Sequence, residues 1–150
     1  MTTSQNPSLQ DCNCLAIRQA ARHVSQFYDQ LFAPVGLRAT QFAILYRLRR
    51  DGPMTINALA AALVMDRTTL GRNILPLERD GLIEIGASPQ DRRRREVRLT
   101  AAGAAQLRAA RRGWAVAQQR FDEVFGAERA AALRDLLREV TASDFTEALG

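Results

Sequence analysis

Hydrophobic spacing along this chain is helical except over one short interval, and that interval limits the fold more than any other feature. Up to Asp80 the apolar residues recur at steps of three and four; over Leu82 to Ile85, and again over Glu96 to Leu99, they alternate; from Thr100 the helical spacing returns. Between the alternating stretches lie the turn formers Ala87-Ser88-Pro89-Gln90 and the run Asp91-Arg92-Arg93-Arg94-Arg95. Two short strands around a basic tip make a hairpin. The expected fold is therefore mainly α, with a two- or three-stranded sheet confined to this interval.

The helical spacing divides into separate elements on either side. A first helix is expected from about Asp11 to Phe32, where Ile17, Ala20, Val24, Phe27, Tyr28 and Leu31 share a side, and Pro34 and Gly36 end it. A second fits Thr40 to Arg50, closed by Asp51-Gly52-Pro53, and a short third runs from Ile56 to Leu63. The fourth, Asp66 to Asp80, turns Leu70, Ile74 and Leu77 inward and is stopped by Gly81. After the hairpin, Leu107, Ala110, Trp114, Ala117, Phe121 and Val124 form a long seam that calls for a partner helix. Gly126 breaks it, and a last helix is expected from about Ala127 to Leu149.

Bulk properties narrow the class. At 150 residues, with 47% hydrophobic and 25% charged residues, the chain is expected to form one domain with a real core. Its longest apolar stretch, Leu59 to Met65, is far short of a membrane span. Residues 1–10 are polar, lack the basic and apolar regions of a secretory signal, and read as a disordered arm of a cytoplasmic protein. The net charge is +5, with arginine as the basic residue throughout, so an acidic polymer is a plausible partner.

A short helix, a tight turn, a second helix with a polar outer face and an arginine-tipped hairpin, in that order, make a winged helix-turn-helix. A helix of about 15 residues is about 22 Å long and fits the major groove, where base edges display a readable pattern of donors and acceptors. Arg67, Thr68, Thr69, Arg72 and Asn73 are the candidate readers: arginine can fork to guanine, asparagine can pair with adenine, and threonine offers a hydroxyl and a methyl. Asp91, Arg92, Arg93, Arg94 and Arg95 lie beside that reader in sequence and suit phosphates or a narrow minor groove. Double-stranded DNA is thus the expected partner.

The stretch Leu59-Ala60-Ala61-Ala62-Leu63, the stretch Leu77-Glu78-Arg79-Asp80-Gly81-Leu82-Ile83 and the spaced set Asp91, Arg92, Arg93, Leu99, Thr100, Gly103 together closely resemble the signature of the MarR family of transcription regulators. The likeness extends to the flanking helices and covers nearly the whole chain. It implies a homodimer, with the first, fifth and sixth helices interlocked (about residues 11–35 and 100–149) and residues of about 38–99 forming the DNA-binding lobe. It also implies effector sites between the helical platform and each lobe. The winged motif together with the flanking apolar helices leads to the expectation of a ligand-responsive repressor that binds a near-palindromic operator as a dimer. In the wing, the resemblance implies that Asp91 and Arg93 shape the loop while Arg92, Arg94 or Arg95 probes the minor groove. Two positions depart from the pattern. Arg38 stands where a helix-capping threonine is common, leaving Thr40 as the alternative cap, and Pro76 removes a hydrogen bond from inside the fourth helix and is expected to kink it.

Other residues carry two readings each. Phe42 and Tyr46, with His23, Phe27 and Tyr28, are candidates to line a pocket for a small aromatic or phenolic effector; the same spacing also predicts core. Trp114, Phe121 and Phe125 could form a ligand cage, but helical spacing alone predicts core, so they are expected in a dimer core. Cys12 and Cys14 are either ordinary packed residues or the thiols of an oxidant switch, as in some branches of the family; two apart on a helix, they do not favour a disulfide. With His23 they would supply three ligands on one helix, which do not converge as a tetrahedral metal site requires, so neither metal nor cofactor is expected. A single histidine, no phosphate-binding glycine loop and no arrangement of nucleophile, base and orienter argue against an enzyme. A winged-helix module that binds protein instead of DNA is the remaining alternative.

Overall fold

The computed structural model describes residues 8–150. Residues 1–7 of the expected arm lie outside them, and Ser8 already caps a 3-10 turn, Leu9–Asp11, by accepting from Gln10 N at 3.2 Å. There follow α1 (Asn13–Phe32), α2 (Ala39–Asp51), β1 (Met54–Thr55), α3 (Ile56–Leu63), α4 (Arg67–Arg79), β2 (Ile83–Ala87), β3 (Arg95–Leu99), α5 (Ala101–Phe125) and α6 (Ala127–Ala142). None of the described helices is long and apolar enough to cross a membrane. The chain divides into two compact units, one reaching Trp114 and one running from Ala115 to Gly150.

In the first unit one core joins α2, α3 and α4 to the sheet: Ile44, Leu45, Leu59, Leu70 and Val97 are completely buried, and Leu77 and Ile83 nearly so. Burying such side chains contributes about 2 kcal/mol each, which sets the relative positions of the three helices. The sheet order is β1-β3-β2, antiparallel throughout, with Ile85 opposite Val97 and Met54 opposite the same Val97. Strand β1 has only two residues, too few to show alternation, which is why the third strand stood only as an option in the sequence.

The turn between α3 and α4 is held from several sides. Thr55 Oγ1 caps α3 by accepting from Ala58 N at 3.1 Å. At its other end Val64 adopts the left-handed conformation (φ 53, ψ 46), and Met65 N reaches Ala60 O at 2.9 Å. Arg47 of α2 donates to Ala62 O at 3.1 Å while pairing with Asp51 at 3.0 Å, so a side chain of the neighbouring helix satisfies one of the end carbonyls of α3. Helix α4 runs through Pro76, losing one donor, and continues for another turn to Arg79.

Strand β3 passes into α5 at Thr100, whose hydroxyl donates to Gly81 O at 2.6 Å and accepts from Gly103 N at 3.0 Å. A Cβ at Gly103 would overlap the Leu82 carbonyl, so only glycine lets α5 approach the turn between α4 and β2 this closely. Gly113 meets the Leu31 carbonyl of α1 in the same way.

In the second unit, Phe121 and Phe125 lie 5.6 Å apart between ring centroids, and the Arg129 guanidinium stands 4.3 Å from the Phe125 centroid. Helix α6 stops at Ala142 and does not reach Leu149: the hydroxyls of Thr141 and Ser143 donate to the Leu137 and Glu139 carbonyls at 3.0 and 2.7 Å, and Ser143 leaves helical geometry. A 3-10 turn, Glu147–Leu149, follows separately.

Candidate nucleic-acid interface

Helix α4 opens with Asp66 as its cap. Asp66 Oδ1 accepts from Thr69 N at 2.8 Å and Oδ2 from the Thr69 hydroxyl at 2.7 Å. Those bonds, the backbone one first, hold its carboxyl below the ordinary carboxylate value. With Leu70, Ile74 and Leu77 buried, Arg67, Thr68 and Arg72 are left exposed on the outer side. No described carboxylate pairs with either arginine. Thr69 and Asn73, the other two expected readers, are engaged within the helix: Thr69 in the cap, and Asn73 Nδ2 donating to Thr69 O at 2.8 Å. A bidentate asparagine contact to adenine would require that last bond to open.

The hairpin loop is organised around Asp91. Its Oδ1 accepts from Arg93 N at 3.0 Å, and its carbonyl accepts from Arg94 N at 3.0 Å. Ser88 N to Arg94 O at 2.7 Å closes the loop. Arg92 and Arg93 are thereby the central residues of the turn, while Arg95 pairs with Ala87 as the first residue of β3. All four arginines are exposed, and none pairs with a described carboxylate. Asp91 thus contributes turn geometry, and the guanidiniums contribute free charge. At the root of the hairpin, Arg98 donates to Ala87 O at 2.9 Å and lies 3.4 Å from Glu96.

The five residues named for an effector pocket are not brought together. A cavity of about 530 Å³ is lined by Phe42, Tyr46 and Arg49 of α2 with Ala104, Leu107, Arg108, Arg111 and Trp114 of α5. His23 is exposed on α1, and Phe27 and Tyr28 meet edge to face at 5.6 Å away from the cavity lining. Phe42 stacks on buried Phe32 with centroids 4.6 Å apart. Trp114, expected in a dimer core in preference to a ligand cage, is 39% exposed and walls the cavity. Arg49, Arg108 and Arg111 were not singled out from the sequence. Their signal was present in the spacing of Tyr46 with Arg49, and of Leu107, Arg108, Arg111 and Trp114 along one helix side.

Cys12 lies just before α1, where its backbone is extended, and Cys14 is exposed in the first turn of α1; both are free thiols. Among the described residues no group of three or more His, Cys, Asp or Glu side chains is placed to hold a metal ion.

Comparison with known proteins agrees with this geometry. The model of the MarR family matches residues 37–94, which run from the start of α2 into the hairpin loop. The chain is 33% identical over 84 residues to the uncharacterized HTH-type transcriptional regulator YwoH of Bacillus subtilis, covering 56% of this chain and 61% of YwoH. It is 35% identical over 86 residues to the HTH-type transcriptional repressor NicR of Pseudomonas putida, covering 57% and 54%. The match therefore spans little more than half the length of these curated relatives. Among solved structures, the M. tuberculosis transcriptional regulator MosR in complex with DNA superposes with a TM-score of 0.72 at 31% identity, over 89% of this chain and 100% of that one.

Proposed function

The chain belongs to the MarR family of winged helix-turn-helix transcription regulators, which are not enzymes, and from that membership we propose that it is a repressor that binds a near-palindromic operator as a homodimer in the cytoplasm. The single domain consists of a DNA-binding lobe over about residues 38–99 and dimerisation helices over about 11–35 and 100–149. The observation that carries the reading is the pairing of two unneutralised surfaces on one folded unit: the outer side of α4 with Arg67, Thr68 and Arg72, and the Arg92 to Arg95 wing. Thr69, Asn73 and Asp91 belong to the same surface, acting through the cap and the turn.

In this reading α4 enters the major groove and the wing lies along the flanking backbone, with half-sites about 34 Å apart, one helical turn. Base edges met by Arg67, Thr68 and Arg72 set the sequence, and wing contacts set affinity. The lobe is regulated by a small aromatic acid held in the α2/α5 cavity, where Phe42, Tyr46 and Trp114 offer ring faces and Arg49, Arg108 and Arg111 offer uncompensated positive charge.

Selection of bound sequences from random duplex DNA, with molecular mass measured in parallel, tests the proposal. A palindromic consensus bound by a dimer, with affinity falling steeply as salt rises, is expected. An intact dimer without affinity for any duplex at low ionic strength would refute it.

A further inference from the structure

Gly71 lies in the interior of α4, between fully buried Leu70 and exposed Arg72. Nothing in the chain explains a glycine there. Its backbone does not take a positive φ, and a Cβ built on it would meet no atom within 4 Å. Glycine is the poorest helix former after proline, so the position weakens α4 with no compensating contact inside the protein. One turn further on, Leu75 is 65% exposed, although the inner side of the helix is already filled by Leu70, Ile74 and Leu77. Helical side chains lean over the turn that precedes them, so Leu75 leans toward Gly71. Thr68, three residues before Gly71, is exposed beside the same patch, and Arg72 flanks it.

An unfilled position beside an exposed branched apolar side chain, on a helix otherwise lined with hydrogen-bonding readers, is complementary to an apolar group. Among the groups that base pairs present in the major groove, the 5-methyl of thymine is the apolar one. We propose that Gly71 and Leu75 form an apolar notch on α4 that receives a thymine methyl, making these residues specificity determinants beside Arg72. The proposal rests on α4 being the groove reader, and its test separates the two claims.

The probe is the duplex that the full wild-type chain selects from random DNA, with each thymine replaced singly by deoxyuridine, which removes only the methyl. At one thymine position per half-site the wild type is expected to lose about fourfold in affinity, the equivalent of one apolar carbon leaving water. Leu75→Ala, at an exposed position, should bind the thymine and deoxyuridine duplexes equally. Gly71→Ala should melt at a higher temperature than the wild type and yet bind the thymine duplex more weakly. Wild-type binding that ignores every methyl overturns the notch while leaving DNA recognition standing, as does a methyl preference that survives both substitutions. Absence of wild-type binding to any duplex overturns both.

Discussion

Asp29 Oδ1 accepts a hydrogen bond from Ala39 N at 2.7 Å, so a carboxylate of α1 caps the first turn of α2. Arg38 occupies the cap position and contributes its backbone N–H, which donates to Gln41 Oε1 at 3.1 Å, but no side-chain cap of its own. Asp29 thus satisfies the first free N–H of α2 from ten residues away, a different donor from the second- or third-position N–H that a threonine at the cap would meet. Asp29→Ala should lower stability by about 1 kcal/mol in urea unfolding by leaving the Ala39 N–H without its acceptor, whereas Asp29→Asn, which keeps an acceptor oxygen there, should lower it less. Equal losses in the two variants would mean that Asp29 acts by something other than this hydrogen bond.

That cap shows where sequence reasoning stops. The departure at Arg38 was legible, and so was the need for a substitute; Thr40 was the alternative within reach of local reasoning, whereas Asp29 comes into range only once α1 has packed against α2. The helix-turn-helix was readable nearly to the residue, because caps and stops such as Asp66 and Gly81 act over three or four positions. The pocket was half readable: Phe42 and Tyr46 line it, but their partners lie near residue 110 on another helix, and spacing within one helix says nothing about which second helix will face it. The wing tip was open for a different reason. Four successive arginines are alike in sequence, and the Asp91 and Ser88 hydrogen bonds place Arg92 and Arg93 at the turn.

Val64 is the single non-glycine residue with positive φ among the described residues, and it is 73% exposed. A β-branched side chain in the left-handed region costs about 1–2 kcal/mol, and asparagine tolerates that region far better. Because the side chain buries little, Val64→Asn should raise stability by about 1 kcal/mol, seen as a higher urea midpoint with an unchanged slope. A lower midpoint would show that Val64 makes a stabilising contact outweighing its strain.

The Asp66 cap predicts a pH dependence with a definite sign. Its carboxyl titrates lower in the folded chain than its ordinary value of 3.8, chiefly because the Thr69 N–H, and next the Thr69 hydroxyl, bond the charged form. The folded state therefore holds the proton less tightly than the unfolded one, so this contribution to stability is complete above 3.8 and disappears as pH falls through the lower folded value. The melting-temperature gap between wild type and Asp66→Ala should be constant near neutrality and shrink below about pH 4. A gap that persists unchanged in acid would assign the effect to packing.

Arg108 and Arg111 border the α2/α5 cavity but belong to neither α4 nor the wing. On the proposed reading, in which these charges hold the effector and do not touch the duplex, replacing both with Ala should abolish release of DNA by an aromatic acid such as benzoate while leaving ligand-free operator affinity within about threefold. Titration of the operator complex with benzoate, in wild type and double variant, reads both quantities. Unaltered release in the variant would place the anion elsewhere.

The wing geometry ranks four arginines that the sequence leaves equal. Arg92 and Arg93 occupy the centre of the Asp91 turn, whereas the Arg94 backbone and Arg95 are tied to Ser88 and Ala87 at the strand ends. A protruding tip reaches phosphates or the minor groove before the strand ends do. Each lost phosphate contact lowers the slope of log affinity against log salt by about 0.9. Arg92→Ala with Arg93→Ala should therefore flatten the slope by up to about 1.8 per wing and weaken all sequences alike. Arg94→Ala with Arg95→Ala should flatten it less, and Arg72→Ala should change which sequence is preferred. Equal slope changes from the two wing pairs would show that the loop rearranges on DNA and that the turn seen in the free chain does not select the contacts.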